Sequence, residues 1–339
     1  MPMTTKDIAR IAGVSQATVS RSLNNSPLIS EGTRRRILDI ALEQGFEFNA
    51  SARSLSTNSS GTIGVIYPDN YSAFNLYLSS LHDQLRSVLE REEYDLIVTF
   101  EKNQQTGTSH IRKLILSRKI DGLIIVKPEL DADTLAFLRK HQVPFVMLHH
   151  CCNTPGLSNT NRVYTDHFRG GYLAAEYLVK LGHKKILTVS ARGIDNEYAL
   201  RTEGYKAALS DCKIPFDPAD ILYGDASFQS GYQVVRDNQA RLAGVGAIFA
   251  QSDLMALGIK EALGEMGLRV PQDVSLVGYD DIELCTMMKP WLTTIHQPKE
   301  ESAKLACELL VELIGSQGTD SREIRVSPTL VIRQSCSSL

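Results

Sequence analysis

From Gly61 onward, short β-branched runs alternate with helical patterns, and no other property of the 339-residue chain narrows its fold as much. TIGVIYP, YDLIVTF, DGLIIV and PFVML are separated by helical spacing over 78–92, 107–118 and 131–141. A second series begins after Tyr164: a helix over 169–181, KILTVSA, a helix over 197–211, DILYG, a helix over 228–240, AIFAQ, a helix over 253–266 and VSLVGYD. A strand followed by a helix and another strand calls for a parallel sheet with helices on both faces. Two such series predict two similar α/β lobes. LTTIHQP restarts a strand at 292–298, a helix follows over 299–315, and a last strand near 327–333 returns to the second lobe. The chain then crosses between the lobes three times and leaves a cleft walled by strand ends and loops, where ligands bind in open α/β sheets. Such clefts close by hinge motion. The expected boundaries are a head at 1–47, a linker at 48–60 and a two-lobed domain at 61–339. Lobe 1 is placed at about 61–162 and 293–324, and lobe 2 at about 163–292 and 325–339.

The first 60 residues follow another rule. Thr4 or Thr5 caps a helix to about Ala12 with Ile8, Ala9 and Ile11 on its inner side. Gly13 breaks that helix, and Ser15 caps a second one through Asn24. Ser30 caps a third, on which Ile37, Ile40 and Ala41 recur at helical spacing. Ala9, Gly13 and Val19 suit a helix-turn-helix: a small contact residue, a left-handed turn, and an apolar anchor for the second helix. The wet face of that second helix carries Gln16, Thr18, Ser20, Arg21 and Asn24. Short hydrogen-bonding groups of this kind match base edges and phosphates in a major groove. Charge agrees in sign: seven Lys/Arg against five acids in this stretch, although the whole chain carries -3. Residues 49–60, NASARSLSTNSS, read as a linker or as a helix that forms only with a partner.

These residues resemble the head of the lactose-repressor/galactose-repressor (LacI/GalR) family of bacterial transcription regulators. TTKDIARIAGVSQATVSRSLNNS and ISEGTRRRILDIALEQGFEFNASARSLST carry the resemblance, and GTIGVIYPD, RGGYLAAEYLVKLGHKKI, RTEGYKAAL, QSDLMALG, RVPQDVSLVGYDD and LTTIHQP extend it over the chain in family order. The resemblance implies an α/β fold: a three-helix helix-turn-helix head and hinge helix, then a two-lobed periplasmic-binding-protein-like domain for effector binding and dimerisation. It implies base contacts by Gln16, Ala17 and Arg21. Thr5, Ser15, Thr18, Ser20, Asn24, Ser30, Thr33 and Asn49 would serve as further DNA contacts, with phosphates held chiefly by the hydroxyls and Asn24. Leu55 would wedge between central base steps in the minor groove with Ala52 packed beside it.

For the large portion, enzyme signatures fail: there is no GxSxG elbow, Walker loop or HExxH. His149-His150-Cys151-Cys152 cannot all face one ion, because neighbours in extended chain alternate sides, so no metal is expected. The resemblance instead implies a sensor without a cofactor. Its effector residues would be Arg201, Asp280, Ser252, Asp253, Glu197 and Phe228, with Asp69, Asn70 and Phe74 after the first strand. His149 stands where many sugar-responsive members have Asp, and Asp166-His167 replaces the common Asp-Asn. With Lys127, Arg201 and His149 converging, an anionic effector such as a sugar phosphate or sugar acid is expected, a neutral saccharide is equally compatible, and a nucleobase is the lesser alternative. The implied partners are a near-palindromic DNA operator and a second copy of the chain. A dimer is expected because no terminal leucine heptads are seen. A start without a signal peptide, no run of 18 apolar residues and six unpatterned cysteines point to the cytoplasm, with nucleoid association when DNA is bound, and to no membrane partner.

Overall fold

A computed structural model describes residues 3–23, 26–46, 59–69, 75–127, 129–148, 159–192, 196–315 and 321–339. The chain divides into two compact units, Met1–Thr62 with Lys113–Asp121, and Ile63–Arg112 with Gly122–Leu339.

In the first unit, α1 (Thr5–Ala12), α2 (Gln16–Leu23) and α3 (Glu31–Glu43) form the head. Thr4 opens α1 through a reciprocal cap: the Asp7 backbone N–H reaches the Thr4 hydroxyl, and the Asp7 carboxylate accepts from the Thr4 backbone. Gly13 ends the helix at φ 66°, a left-handed position that glycine adopts without penalty. Ser15 accepts from the Thr18 N–H, and Ser30 accepts from the Thr33 N–H. Ile8, Ala9, Ala12, Val19, Ile37 and Ala41 make the small core. Ile11, expected on the inner side, is 43% exposed; the inward stripe runs through Ile8, Ala9 and Ala12, one residue beyond it. At the far end of this unit Asp121 gathers the residues that lead into the first strand. Its carboxylate accepts from Ser59 Oγ at 2.7 Å, Ser60 N at 2.6 Å and Gly61 N at 2.8 Å.

The second unit holds two six-stranded sheets. β1 (Thr62–Tyr67), β2 (Asp95–Phe100), β3 (Gly122–Ile125), β4 (Phe145–Met147), β5 (Arg162–Thr165) and β11 (Glu323–Val326) form the first, in the order β11-β5-β4-β3-β1-β2. β6 (Ile186–Ala191), β7 (Ile221–Gly224), β8 (Ala247–Ala250), β9 (Ser275–Asp280), β10 (Thr293–His296) and β12 (Thr329–Val331) form the second, in the order β12-β10-β9-β8-β6-β7. Only the β10–β12 pair is antiparallel among the registered pairs. Around them pack α4 (Leu76–Arg91), α5 (His110–Leu116), α6 (Ala132–Lys140), α7 (His167–Lys180), α8 (Asn196–Asp211), α9 (Phe228–Asp237), α10 (Asp253–Glu265) and α11 (Lys299–Gly315).

The lobe boundaries need correction. Thr293–His296, assigned from sequence to lobe 1, pairs with Val277–Asp280 in the second sheet. Arg162–Thr165 and Glu323–Val326, not read as strands, pair with each other in the first sheet. The crossings therefore follow Thr165, His296 and Val326. Periodicity shows that a short run is a strand, and it does not show which sheet accepts it. The helix expected over 107–118 is also shorter, because Asn103 turns the chain back through Gln105 and Thr106 and residues 102 and 109 bridge.

Close helix packing sets the position of the second lobe's polar residues. A Cβ on Gly171 of α7 would lie 1.9 Å from the Arg201 carbonyl of α8, and one on Gly204 of α8 would lie 1.9 Å from the Phe168 carbonyl. The two helices thus touch backbone to backbone. Tyr77, in the first turn of α4, packs against the cores of both lobes.

Candidate functional site

A buried polar cluster is built on β9, α8 and the start of α7. Tyr279 is fully buried near the end of β9, and its ring lies under the Arg201 guanidinium at 3.9 Å; Tyr198 lies 4.5 Å from the same group. Arg201 is 3% exposed. Its Nη1 donates to the Gln251 carbonyl at 2.6 Å, and its Nη2 lies 3.6 Å from Glu197 Oε2, one helical turn away. Gln251 is fixed in turn by Thr188, Ser190 and Thr202. His167, at the start of α7, fills the remaining side. Its Nε2 is 3.0 Å from Glu197 Oε1, and its Nδ1 is 3.0 Å from the Tyr279 hydroxyl and 3.3 Å from Arg201 Nε. The glycine pair in RGGY has a reason here: a Cβ on Gly170 would strike the Tyr279 hydroxyl at 2.4 Å.

Asp280 closes β9 at φ 119° and Asp281 follows at φ 55°. Two left-handed non-glycine residues in sequence are costly, and such strain collects at ligand sites. Asp280 accepts from Gln297 Nε2 at 2.8 Å, while Lys299 donates to the carbonyls of Asp280 and Asp281 at 3.0 and 3.2 Å. Burial pushes the Asp280 carboxyl upward against the opposing pull of Arg201, Gln297 and Lys299. Tyr77, from lobe 1, faces this cluster with the Lys299 ammonium 5.8 Å from its ring. Burial, then Glu197 and Asp280, raise its hydroxyl pKa.

Of the effector residues expected from sequence, Glu197, Arg201 and Asp280 come together. Asp253 does not face the cleft: it is fully buried, and its carboxylate accepts from Thr294 Oγ1 at 2.6 Å, Ile282 N at 3.0 Å and Cys285 Sγ at 3.1 Å. Ser252 caps α10 by accepting from Met255 N and reaches the Ala226 carbonyl, which also makes it structural. Lys127 does not converge on Arg201 as a spare cation; it is ion-paired with Glu101, which also accepts from Asp131 N. Asp69 is exposed in the turn after β1, and Phe228 is 39% exposed at the start of α9. Asn70, Phe74 and His149 lie outside the described residues, as do Asn24, Asn49, Ala52 and Leu55 of the DNA-contact set.

Sequence reasoning missed Tyr77, His167, Gln251, Tyr279, Gln297 and Lys299. Only His167 carried a visible signal, its departure from Asn beside Asp166. In the head, Gln16, Ala17 and Arg21 are exposed and Thr18 and Ser20 half-buried on α2. Gln16 Nε2 donates to Thr5 Oγ1 at 2.9 Å, which ties the carboxamide to the start of α1. Ser15, Thr18, Ser30 and Thr33 form hydroxyl pairs that cap their helices.

Residues 4–49 match the model of bacterial regulatory proteins of the lacI family, and residues 175–336 match a periplasmic binding protein-like domain. The HTH-type transcriptional repressor PurR of Vibrio vulnificus (strain CMCP6) is 32% identical over 337 residues, covering 99% of each chain. The chain belongs to the lacI family. Among solved structures, the Lac repressor dimer bound to operator and the anti-inducer ONPF is 28% identical with a TM-score of 0.82, over 99% of this chain and 100% of that one. A complex of the transcriptional regulator CelR with cellobiose is 26% identical with a TM-score of 0.72, over 98% and 99%. This lacI-family chain is a ligand-responsive DNA-binding repressor and not an enzyme. Among the described residues no helix is long and apolar enough to cross a membrane.

Proposed function

We propose that this repressor senses a carbohydrate in the cleft between its lobes and binds a near-palindromic operator as a homodimer. The observation that carries the effector class is the pairing of two carboxylates, Glu197 and Asp280, around the Arg201 guanidinium stacked between Tyr198 and Tyr279. Carboxylates accept from the hydroxyls of a sugar. Similarity to the cellobiose complex of CelR supports the same class. Tyr77 reaches both lobe cores, so a ligand beside it biases closure in proportion to its differential affinity for the closed state.

The dimer reading rests on exposed apolar side chains in lobe 2. Met287 and Met288 are 64% and 40% exposed and Trp291 is 40% exposed; the Trp291 backbone pairs with Gln334, which brings Ile332 near the same stretch. A two-fold dimer reads a two-fold site. The proposed domain use is reading by the head (1–47), switching by the linker (48–60), and sensing and pairing by 61–339, with lobe limits at the crossings given above.

The test is a thermal-shift screen of the full-length protein against neutral sugars, sugar phosphates, sugar acids and purines. A ligand at 100 times its dissociation constant adds about 2.7 kcal/mol to the state it binds. A saturable shift with a saccharide that also changes operator affinity is the expected result. Shifts confined to purines refute the carbohydrate reading and leave the repressor assignment untouched.

A further inference from the structure

We propose that His167 determines the charge class of the effector: it holds the Glu197 carboxylate against Arg201 and so confines the cleft to uncharged ligands. This rests on the cleft being the effector site, as proposed above, and goes beyond the expectation of an anionic effector.

The hydrogen-bond geometry fixes the state of the imidazole. Arg201 Nε carries a hydrogen at every accessible pH and can only donate. His167 Nδ1, facing it at 3.3 Å, is therefore an acceptor. The Tyr279 hydroxyl, 3.0 Å from the same nitrogen, then also points its hydrogen there. The remaining ring proton must sit on Nε2, where it donates to Glu197 Oε1 at 3.0 Å. A ring protonated on both nitrogens would turn an N–H towards the guanidinium, so the arrangement selects the neutral Nε2–H tautomer. The residue is 2% exposed, and water does not compete for these contacts.

One carboxylate oxygen of Glu197 is thus tied to the histidine, and the other faces Arg201 Nη2. The guanidinium meets its opposite charge within the protein, its faces are taken by Tyr279 and Tyr198, and Nη1 is engaged by Gln251. A phosphate or carboxylate seeking Arg201 arrives beside the Glu197 carboxylate in a site of low polarisability, where like charges repel strongly. Among the described residues, the lysines and arginine nearest this group are already engaged. Lys299 is given to the carbonyls of Asp280 and Asp281, Lys127 to Glu101, and Arg333 to Asp281. Asp280 adds a further negative group beside Arg201. A neutral hydroxyl-rich molecule meets no such penalty.

The test uses orthophosphate as a minimal anion, titrated at constant ionic strength against chloride into the full-length protein, with the thermal midpoint as readout. Wild type is expected to show no saturable shift. Glu197→Gln keeps the size of the side chain and removes the charge; His167→Leu removes the donor and so releases the tether. Glu197→Gln is expected to gain a saturable phosphate shift at least about tenfold tighter than any in wild type, the scale set by removing one repelling charge at about 4 Å, and His167→Leu, which keeps that charge but unties it from the imidazole, a smaller saturable shift. Adding Arg201→Met to Glu197→Gln should abolish the gain, which a general effect on stability would not do. His167→Gln, which retains an N–H donor for Glu197, should restore exclusion. No gain in Glu197→Gln, or a gain in Glu197→Gln with none in His167→Leu, overturns the proposal. No sugar enters the experiment, so failure of the carbohydrate screen and failure of this charge rule are read separately.

Discussion

Replacing Gly171 by alanine tests whether backbone contact between α7 and α8 holds the effector cluster in place. The added Cβ would lie 1.9 Å from the Arg201 carbonyl and 2.8 Å from the Arg201 Cα. Neither atom belongs to a side chain that can turn away. The helices must part by roughly 1.5 Å to restore ordinary contact, and a close-packed interior resists that. Overpacking of this kind costs about 1–3 kcal/mol and occasionally more, and a backbone obstacle belongs at the upper end. Alanine in a helix returns about 1 kcal/mol, which leaves a net loss of about 2 kcal/mol. At about 2.1 cal/mol/K per residue, a loss of about 2 kcal/mol lowers the calorimetric midpoint of a two-lobed domain of about 280 residues by about 3–4 °C. Gly264, also in a helix, has nothing within 4 Å of its would-be Cβ, so Gly264→Ala should raise the midpoint slightly. The reasoning is refuted if Gly171→Ala melts at or above the wild-type temperature, or if the two substitutions behave alike. Because Arg201 moves with α8, Gly171→Ala should also weaken effector binding in the folded protein.

Three further outcomes follow from the geometry. Gln16→Ala should change the base preferred at one position of each half-site in selection from random DNA, at about 1–3 kcal/mol of discrimination, while non-specific binding stays the same; an unchanged consensus removes Gln16 from base reading. Asp121→Ala removes the acceptor shared by Ser59, Ser60 and Gly61, so trypsin should cut at Arg53 faster than in wild type, and equal rates would show that the linker's end is held by something else. Burial raises the folded-state pKa of Asp280 above its unfolded value, so its favourable contribution is complete below the ordinary carboxylate range and is lost as pH rises through the folded value. The thermal midpoint should therefore fall as pH rises from about 4 to about 6, and Asp280→Asn should reduce that slope; an equal slope in the variant assigns it to other groups.

Local signals were legible in the sequence. Thr4, Ser30 and Gly13 act at helix ends as their chemistry demands, and the β-branched runs became strands within a residue or two. What depends on distant partners was not legible. Arg162–Thr165 is a strand because Glu323–Val326 pairs with it, about 160 residues away, and neither run is long or apolar enough to announce itself. The same limit governs the site. Arg201, Glu197 and Asp280 stood out as charges, but Asp253 and Ser252 look identical to ligand groups until Thr294, Ile282, Cys285 and Met255 are seen to occupy them. Tyr77 and Tyr279 read as core aromatics, and only the folded chain places their rings beside the charges.

The interleaving of the two sheets bears on how the chain is made. Each sheet takes strands from before residue 300 and completes its edge with a strand from the last 20 residues, β11 in one and β12 in the other. The ribosome releases the chain from the N-terminus, so the head, whose contacts are short-range, can assemble while most of the protein is still unsynthesised. Neither lobe can finish in that interval. β5 and β10 keep an unpaired edge until residues 323–331 have been synthesised, so the two lobes are completed almost together. A truncation that removes only the final strands thus spares the reading head and strands both sensors half-built. The resulting species is a DNA-binding fragment with two open sheet edges, which are prone to pair with other chains.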